Sequence, residues 1–359
     1  MANEFRTLDS HSAEYFGETR DYWWNLDFLE LMGRRLSFDR VQDVLDVGCG
    51  IGHWGQLLAN VLPRTARVQG VDRDPFWVEK ASSRAAARHL ADRFSYQVSV
   101  AETLPFAEAS FDLVTCQTVL IHMPDPGAVV GEMVRVARPG GLVLAAEPNN
   151  IANSLILDSL SFHDPVDEIT ARVRLQLTCE RGKAALGEGN NSLGGLVPGL
   201  FAACGLIDVR VYLSDKTNVF LPPYRSLEER AMLEERADLE HREFWLWSRE
   251  NTHRYFLAGG GREEDFDALW SIAIASDRKF DQAIAERTYA GAGGGISYLV
   301  AGRSQSSAPF DARVMRGQSD RRIEAWTRSS ACSTRTDRCA WARARLHDRK
   351  YRLHDRKYR

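Results

Sequence analysis

The stretch Val44-Leu45-Asp46-Val47-Gly48-Cys49-Gly50-Ile51-Gly52 decides the fold of this 359-residue chain. An apolar run typical of a buried strand ends at three closely spaced glycines, which allow a turn and let a ligand approach the main chain. Asp72 follows Gly52 by twenty residues and ends the next apolar run. The two oxygens of its carboxylate suit the adjacent hydroxyls of a ribose. The spacing predicts an adenosine-containing ligand at a strand-to-helix turn.

Short apolar runs alternate with helical patterns on both sides of this turn, which indicates βαβ units and a parallel sheet. The runs cover residues 44–48, 68–72, 94–100, 111–117 and 141–147. Three Asp-Pro pairs predict helix starts, because the carboxylate can cap free N–H groups and proline is preset for the first helical position. These pairs are Asp74-Pro75, Asp125-Pro126 and Asp164-Pro165.

Two further strands are predicted at 206–215 and 296–303, with a helical insert between them. Ser226 and Glu229 form a capping box ahead of a long helix that we expect to carry Phe244, Trp245 and Trp247. The predicted organisation is an N-terminal helical lid (1–40), a ligand-binding core (41–215), a helical cap insert (216–295), a final core strand (296–303) and a basic tail (304–359).

Composition excludes disorder or a fibre as the overall class, because 44% of the residues are hydrophobic and the net charge is −3. The tail holds 15 Lys and Arg against 6 Asp and Glu, so the remaining body is acidic, which argues against nucleic acid as its main partner. The tail lacks an apolar period, and we expect it to be disordered. No membrane span is predicted.

The six cysteines show neither a CxxC pair nor zinc spacing, so we expect no metal site and no disulfide framework. A polar N-terminus and this cysteine pattern favour a cytoplasmic protein.

The nature of the adenosine ligand is open at this point, because Gly50-x-Gly52-x-x-Gly55 also satisfies the dinucleotide fingerprint. That alternative is an NAD-dependent oxidoreductase. A dinucleotide site places pyrophosphate at a helix N-terminus, whereas Asp46 precedes the first glycine by two residues and suits a cationic amino-acid group better. S-adenosylmethionine carries such a group.

The chain closely resembles the class I S-adenosylmethionine-dependent methyltransferases of the small-molecule type, to which the ubiquinone-biosynthesis enzymes belong. The resemblance covers about 11–215 and 296–303 and follows five motifs in the family's order: VLDVGCGIG, GVDRDP, AETLPF, SFDLVTCQTVLIHMPDP and ARPGG. It implies a three-layer α/β/α, doubly wound, mostly parallel, Rossmann-like sheet with the cap insert between the last two strands. It also implies S-adenosylmethionine as cofactor and methyl transfer to a small-molecule acceptor.

The resemblance assigns roles to individual positions. Asp46 and residues 48 to 52 would meet the methionine part, Asp72 the ribose, Ala101 and Glu102 the adenine edge, and Gln117 the floor of the site. Arg20, on the predicted lid, is a candidate partner of the cofactor carboxylate. Val100 replaces an acid common in relatives, so the adenine amino group would need another partner. The predicted cofactor-binding set is Arg20, Asp46, Gly48, Cys49, Gly50, Gly52, Asp72, Arg73, Ala101, Glu102 and Gln117.

Methyl transfer is an in-line displacement, so a general base is needed only for some acceptors. His122 is the candidate base, with Glu147 and Asn149 next on the same sheet edge. Four aromatic residues of the insert are candidates for a wall of the acceptor pocket, and we expect at least half of them to pack between helices instead. They are Trp245, Trp247, Tyr255 and Trp270. A non-catalytic S-adenosylmethionine-binding protein is a further alternative, and a homodimer is left open.

Overall fold

A computed structural model describes residues 19–240, 245–293 and 295–305 of the chain. All of them fall within one compact unit. Most of the predicted basic tail, the first part of the predicted lid and Phe244 lie outside the described residues. No helix of the described part is long and apolar enough to cross a membrane.

The described residues form a main sheet of seven strands and a separate pair of strands. The strands of the main sheet are β1 (Asp43–Val47), β2 (Arg67–Asp72), β3 (Phe94–Val98), β4 (Phe111–Gln117), β5 (Ala137–Pro148), β6 (Ile207–Leu213) and β9 (Ser297–Arg303), and the separate pair is β7 (Asn218–Phe220) with β8 (Gly291–Gly293).

The order of strands in the main sheet is β3-β2-β1-β4-β5-β9-β6. The pairs among β1 to β5 are parallel, whereas β9 is antiparallel to both of its neighbours. The doubly wound, mostly parallel sheet predicted from the sequence is therefore confirmed.

Helices follow the strands and complete the layers. They are α1 (Leu26–Leu36), α2 (His53–Leu58), α3 (Pro75–Ala87), α4 (Pro126–Val136), α5 (Asn150–Asn153), α6 (Val166–Ala185), α7 (Val197–Ala203), α8 (Leu227–Glu240), α9 (Arg249–Ala258) and α10 (Glu263–Ala285).

Two apolar cores lie against the main sheet, because successive strand residues point to opposite faces. Leu45 and Val47 belong to the core that includes residues of α4 and α7. Val44 belongs to the other core, which includes residues of α1. A sheet covered on both faces explains why the central strands are apolar throughout.

The Asp-Pro pairs behave differently from one another. Asp74 accepts a hydrogen bond from Phe76 N–H at 2.9 Å, and Asp125 accepts one from Ala128 N–H at 3.0 Å, so both cap their helices as predicted. The third prediction is wrong: α6 has no side-chain cap, and Asp164 instead pairs with Arg172 at 2.8 Å and with Lys279 at 3.2 Å. Two cations attract this carboxylate more strongly than free N–H groups do.

The cap is built from more than the predicted insert. Helix α6, which precedes β6, packs against α9 and α10, and their buried residues share one core with Trp247. The boundary drawn at 216 therefore separates α6 from the helices on which it packs. Trp245 and Trp247 are not helical, contrary to the expectation, because residues 245–247 form a bend. They lie just before α9, whose N-terminus is capped by Ser248.

Candidate active site

The loop from β1 to α2 is built around three glycines with positive φ. Their φ angles are 63° at Gly48, 51° at Gly50 and 84° at Gly52. A Cβ at Gly48 would lie 2.5 Å from a methyl carbon of Val119, so both conformation and space require glycine there. Gly48 and Gly50 line a cavity of about 1110 Å³, whereas Gly52 begins α2 outside its lining.

Nine of the twelve predicted site residues meet in the lining of this cavity. They are Arg20, Gly48, Gly50, Asp72, Arg73, Ala101, Glu102, Gln117 and His122. These residues come from distant parts of the chain, and the carboxyl ends of the parallel strands bring most of them together. Asp46, Cys49 and Gly52 are absent from the lining.

Asp46 supports the loop from behind. Its side chain is almost fully buried, and Oδ2 accepts a hydrogen bond from Gly55 N–H at 3.0 Å. Burial raises the pKa of Asp46 to about 7, with a smaller contribution from the charge of Asp72. Oδ1 is buried and has no hydrogen-bond partner, and contact of Asp46 with the methionine part of a ligand stays a prediction.

Cys49 and Gly52 also act within the loop. Cys49 N–H donates to the Val71 carbonyl at 2.9 Å, and its buried thiol contacts the Gly50 carbonyl. A Cβ at Gly52 would lie 2.6 Å from Gln56 Nε2. Both residues pack against protein here, and their contact with a ligand stays a prediction.

Asp72 holds two parts of the site at once. Its Oδ2 accepts from Gly50 N–H at 2.9 Å, and its Oδ1 accepts from Asp74 N–H at 3.0 Å. Each carboxylate oxygen keeps a second lone pair that can accept a further hydrogen bond. The carboxylate is thus oriented by the loop while it faces the cavity.

The segment before α1 reaches this cavity through Arg20 and Trp23. The Arg20 guanidinium lies 5.2 Å from the centre of the Trp23 ring. Burial lowers the pKa of Arg20 to about 10, and the negative charges of Glu235 and Asp72 oppose that change. The charge of Arg20 therefore faces the ligand cavity in a partly desolvated setting.

Asp21 ties the same segment to α2 and α3. Its carboxylate binds Arg84 at 2.6 Å, Arg88 at 2.5 Å and His53 Nδ1 at 2.7 Å. Burial alone would raise the pKa of Asp21, but His53 and Arg84 outweigh it and hold that pKa well below its usual range. The sequence analysis did not single out this cluster, because its members are up to 67 residues apart.

His122 ends a short 3-10 turn that follows β4. Glu147 supports this turn: it accepts the N–H groups of Val119 and Leu120, each at 2.9 Å. Glu147 is fully buried and outside the cavity lining, and burial raises its pKa to about 7 against the opposing effect of those N–H donors. Glu147 thus positions the turn that carries His122, and a role as a base stays a prediction. Asn149 caps α5.

The cap supplies part of the lining. Trp245 and Trp247, two of the four aromatic residues considered for the pocket wall, line the cavity, whereas Tyr255 and Trp270 are buried in the cap core. Glu188 lines it too and binds Arg254 and the Tyr255 hydroxyl. Sequence reasoning missed three lining residues on helix α6, which are Arg172, Gln176 and Glu180. Their spacing on one helical face was a usable signal, since residues three to four apart are neighbours on a helix.

One cavity thus combines a glycine turn of the nucleotide-binding type, an acid at a strand end and a covering cap. This combination is typical of Rossmann-like transferases and oxidoreductases. Comparison with known proteins separates these classes. Residues 39–182 match a family model described as a methyltransferase domain.

Three curated relatives agree with this match. The ubiquinone biosynthesis O-methyltransferase of Paracidovorax citrulli is 31% identical over 169 residues, covering 44% of this chain and 69% of the relative. Methyltransferase GfsG of Streptomyces halstedii is 38% identical over 118 residues, covering 33% and 42%. The chloroplastic tocopherol O-methyltransferase of Arabidopsis thaliana is 40% identical over 105 residues, covering 29% and 30%.

The chain belongs to the S-adenosylmethionine-dependent methyltransferase family. It spans less than half the length of GfsG and of the tocopherol enzyme. The family model covers β1 to β5 and ends within α6.

Proposed function

We propose that this protein transfers the methyl group of S-adenosylmethionine to a small-molecule acceptor held beneath the cap. One observation carries the proposal: a single cavity of about 1110 Å³ is lined both by the glycine loop with Asp72 and by cap residues such as Trp245. Pockets for one ligand are typically 300 to 1,000 Å³, so this cavity has room for a cofactor and an acceptor together.

The residues around the loop fit the cofactor. When bound, S-adenosylmethionine supplies a methyl group activated on a sulfonium. Asp72 would accept hydrogen bonds from the ribose hydroxyls with the lone pairs that Gly50 and Asp74 leave unused. Arg20, whose charge is partly desolvated, would bind the cofactor carboxylate.

The rest of the predicted set completes the proposal. The main chain at Gly48 and Gly50 would bind the amino-acid part, with Arg73 beside the ribose, Ala101 and Glu102 at the adenine edge and Gln117 at the floor.

His122 is proposed to accept the proton of a hydroxyl acceptor at one imidazole nitrogen. Glu147 holds the turn that carries His122. This turn follows β4, which lies next to β1, the strand that leads into the glycine loop. A fixed turn limits the motion of the imidazole, which is what general-base catalysis requires.

The hydrogen bonding at the start of α2 argues against the dinucleotide alternative, although the glycine spacing fits its fingerprint. Gly55 N–H, at the start of α2, already donates to Asp46. A pyrophosphate at that helix end would lose this donor and approach a buried carboxyl group.

The proposed reaction takes place in the cytoplasm. The cysteines of the described residues, Cys49, Cys116, Cys179 and Cys204, are all free and buried, which suits a reducing compartment. Formation of a homodimer stays a prediction.

The test has two steps. Isothermal titration calorimetry should show binding of S-adenosylhomocysteine and none of NADH; the reverse preference would contradict the proposal. Incubation with methyl-labelled cofactor and a metabolite extract should then label a small molecule. His122→Gln should lower this transfer about 100-fold, while His163→Gln, an exposed histidine outside the cavity, should not. Cofactor binding without transfer to any acceptor would favour a non-catalytic binding protein.

A further inference from the structure

We infer that the cap side of the cavity recognises a neutral, hydroxyl-rich ring compound with one apolar face. This inference rests on the proposed transferase function and names the chemistry of its acceptor. Three features of the lining carry it: a set of carboxamide side chains, charged groups that already have partners, and two tryptophans.

Carboxamides are the most frequent polar side chains of this part of the lining. Each offers two N–H donors and a carbonyl acceptor without a net charge, which matches the mixed donor and acceptor character of hydroxyl groups. They come from α5, α6, β7 and the segment after α6, and they are Asn150, Asn153, Gln176, Asn191 and Asn218.

Contacts with the protein orient several of these amides. Gln176 Nε2 donates to Glu180 at 3.0 Å, Asn191 Oδ1 accepts from Lys183 at 2.6 Å, and Asn153 Oδ1 accepts from Ile296 N–H at 2.7 Å. Each bond uses only part of the capacity of its amide. The remaining donors and acceptors are therefore held in place for a ligand.

The charged cap residues of the lining have counter-charges within the protein. Arg172 pairs with Asp164 at 2.8 Å, and Lys216 pairs with Glu228 at 2.7 Å. Glu188 pairs with Arg254 at 2.5 Å. A charged acceptor would have to compete with these pairs or be buried without a partner, and an unpaired buried charge is costly.

Glu180 fits the same pattern. Its carboxyl group is 4% exposed and is bonded to Gln176. Burial raises its pKa, and the hydrogen bonds of Ser192 and Gln176 and the charge of Lys183 oppose that change. This carboxyl group therefore also has hydrogen-bond partners and a counter-charge within the protein.

Trp245 and Trp247 supply the apolar part of the lining. Large aromatic faces pack well against the C–H face of a ring whose hydroxyls point elsewhere. Aromatic residues also bind cations, but the Glu188 carboxylate, which could add negative charge to such a site, is engaged by Arg254. The balance of the lining therefore favours a neutral ring.

Three phenyl glycosides of similar size and different charge test the inference on the full chain with saturating S-adenosylhomocysteine, at about pH 6 so that the amine is protonated. They are phenyl β-D-glucopyranoside, which is neutral, its glucuronide, which is an anion, and its 2-amino-2-deoxy counterpart, which is a cation. Calorimetry should give at least tenfold tighter binding of the neutral probe. A charged probe that binds as tightly, or a neutral probe that fails to bind at millimolar concentration, would overturn the inference.

Two variants connect the preference to the lining. Asn218→Leu keeps the size of the side chain but removes its hydrogen bonding, and Trp245→Ala removes an aromatic face. Each should weaken the neutral probe about tenfold and change S-adenosylhomocysteine affinity less than twofold. Matched controls are Asn60→Leu and Phe162→Ala, at exposed positions outside the cavity.

The outcomes also separate the inference from the proposed function. If the wild-type chain binds S-adenosylhomocysteine but shows no preference for the neutral probe, the inference alone is contradicted. Unchanged probe binding in both variants would contradict it as well. Failure of the wild-type chain to bind S-adenosylhomocysteine contradicts the proposed function, and the inference is then overturned with it.

Discussion

Replacement of Asp72 by alanine tests the cofactor site most directly. The carboxylate accepts the N–H groups of Gly50 and Asp74, and hydrogen bonds to a charged group contribute about 1.5 to 3 kcal/mol each. These two bonds are partly solvated, so we expect a loss of about 2 to 3 kcal/mol in the free energy of unfolding. That corresponds to a fall of roughly 4 to 12 °C in Tm.

Loss of the ribose contacts should weaken S-adenosylhomocysteine binding about 10 to 150-fold, equivalent to about 1.5 to 3 kcal/mol. Affinity should be measured by calorimetry well below the Tm of the variant. Asp92→Ala is the matched control, because Asp92 is exposed and outside the cavity. The control should change neither affinity nor Tm.

A ligand lacking the 2′-hydroxyl separates loss of the ribose contact from distortion of the loop. Wild-type protein should bind the 2′-deoxy analogue of S-adenosylhomocysteine about tenfold less tightly than the parent compound. The Asp72→Ala variant should bind both compounds equally, because the partner of that hydroxyl is already missing. If both proteins lose the same factor, Asp72 does not bind the ribose.

Three further changes have defined outcomes. Glu147→Gln should remove part of the pH dependence of stability. The pKa of Glu147 in the folded protein, about 7, exceeds the ordinary 4.5, so the wild type loses about 3 kcal/mol in the free energy of unfolding as pH rises from 4.5 through 7. Urea unfolding at pH 5 and pH 8 should show a smaller loss in the variant. An unchanged slope would disprove this. Asp21→Ala should weaken S-adenosylhomocysteine binding about tenfold, because it releases the segment that carries Arg20 and leaves two arginines without their shared carboxylate; equal affinity by calorimetry would contradict it. Ending the chain after Gln305 should leave Tm and S-adenosylhomocysteine affinity unchanged, since the tail has no apolar period, and a drop of several degrees in a thermal melt would show that it docks.

The strands of the main sheet, its mostly parallel class and the position of the glycine turn could be predicted from the sequence. Apolar runs, glycines before a helix and capping residues act over a few neighbouring positions, so their conformational effect can be read locally. Asp74 and Asp125 cap their helices, and Ser226 with Glu229 forms the expected capping box.

The burial of Asp46 could have been predicted from the pattern of β1. Side chains alternate along a strand, so Asp46 points to the same face of β1 as Val44 and away from the face of Leu45 and Val47. That face is covered by residues of α1 and α2. The alternation alone therefore predicts the buried position of the Asp46 side chain.

Other features were decided only by the tertiary structure. Asp164 could cap α6, but Lys279, more than a hundred residues later, and Arg172 take its carboxylate. Among the cap aromatics, Trp245 lines the cavity while Tyr255 is buried. Helix α6 precedes β6 in the chain and α9 follows it, and the two helices pack together with Tyr255 in their shared core. Local sequence determines which elements form, whereas contacts between residues far apart in the chain determine which face of each element meets the ligand.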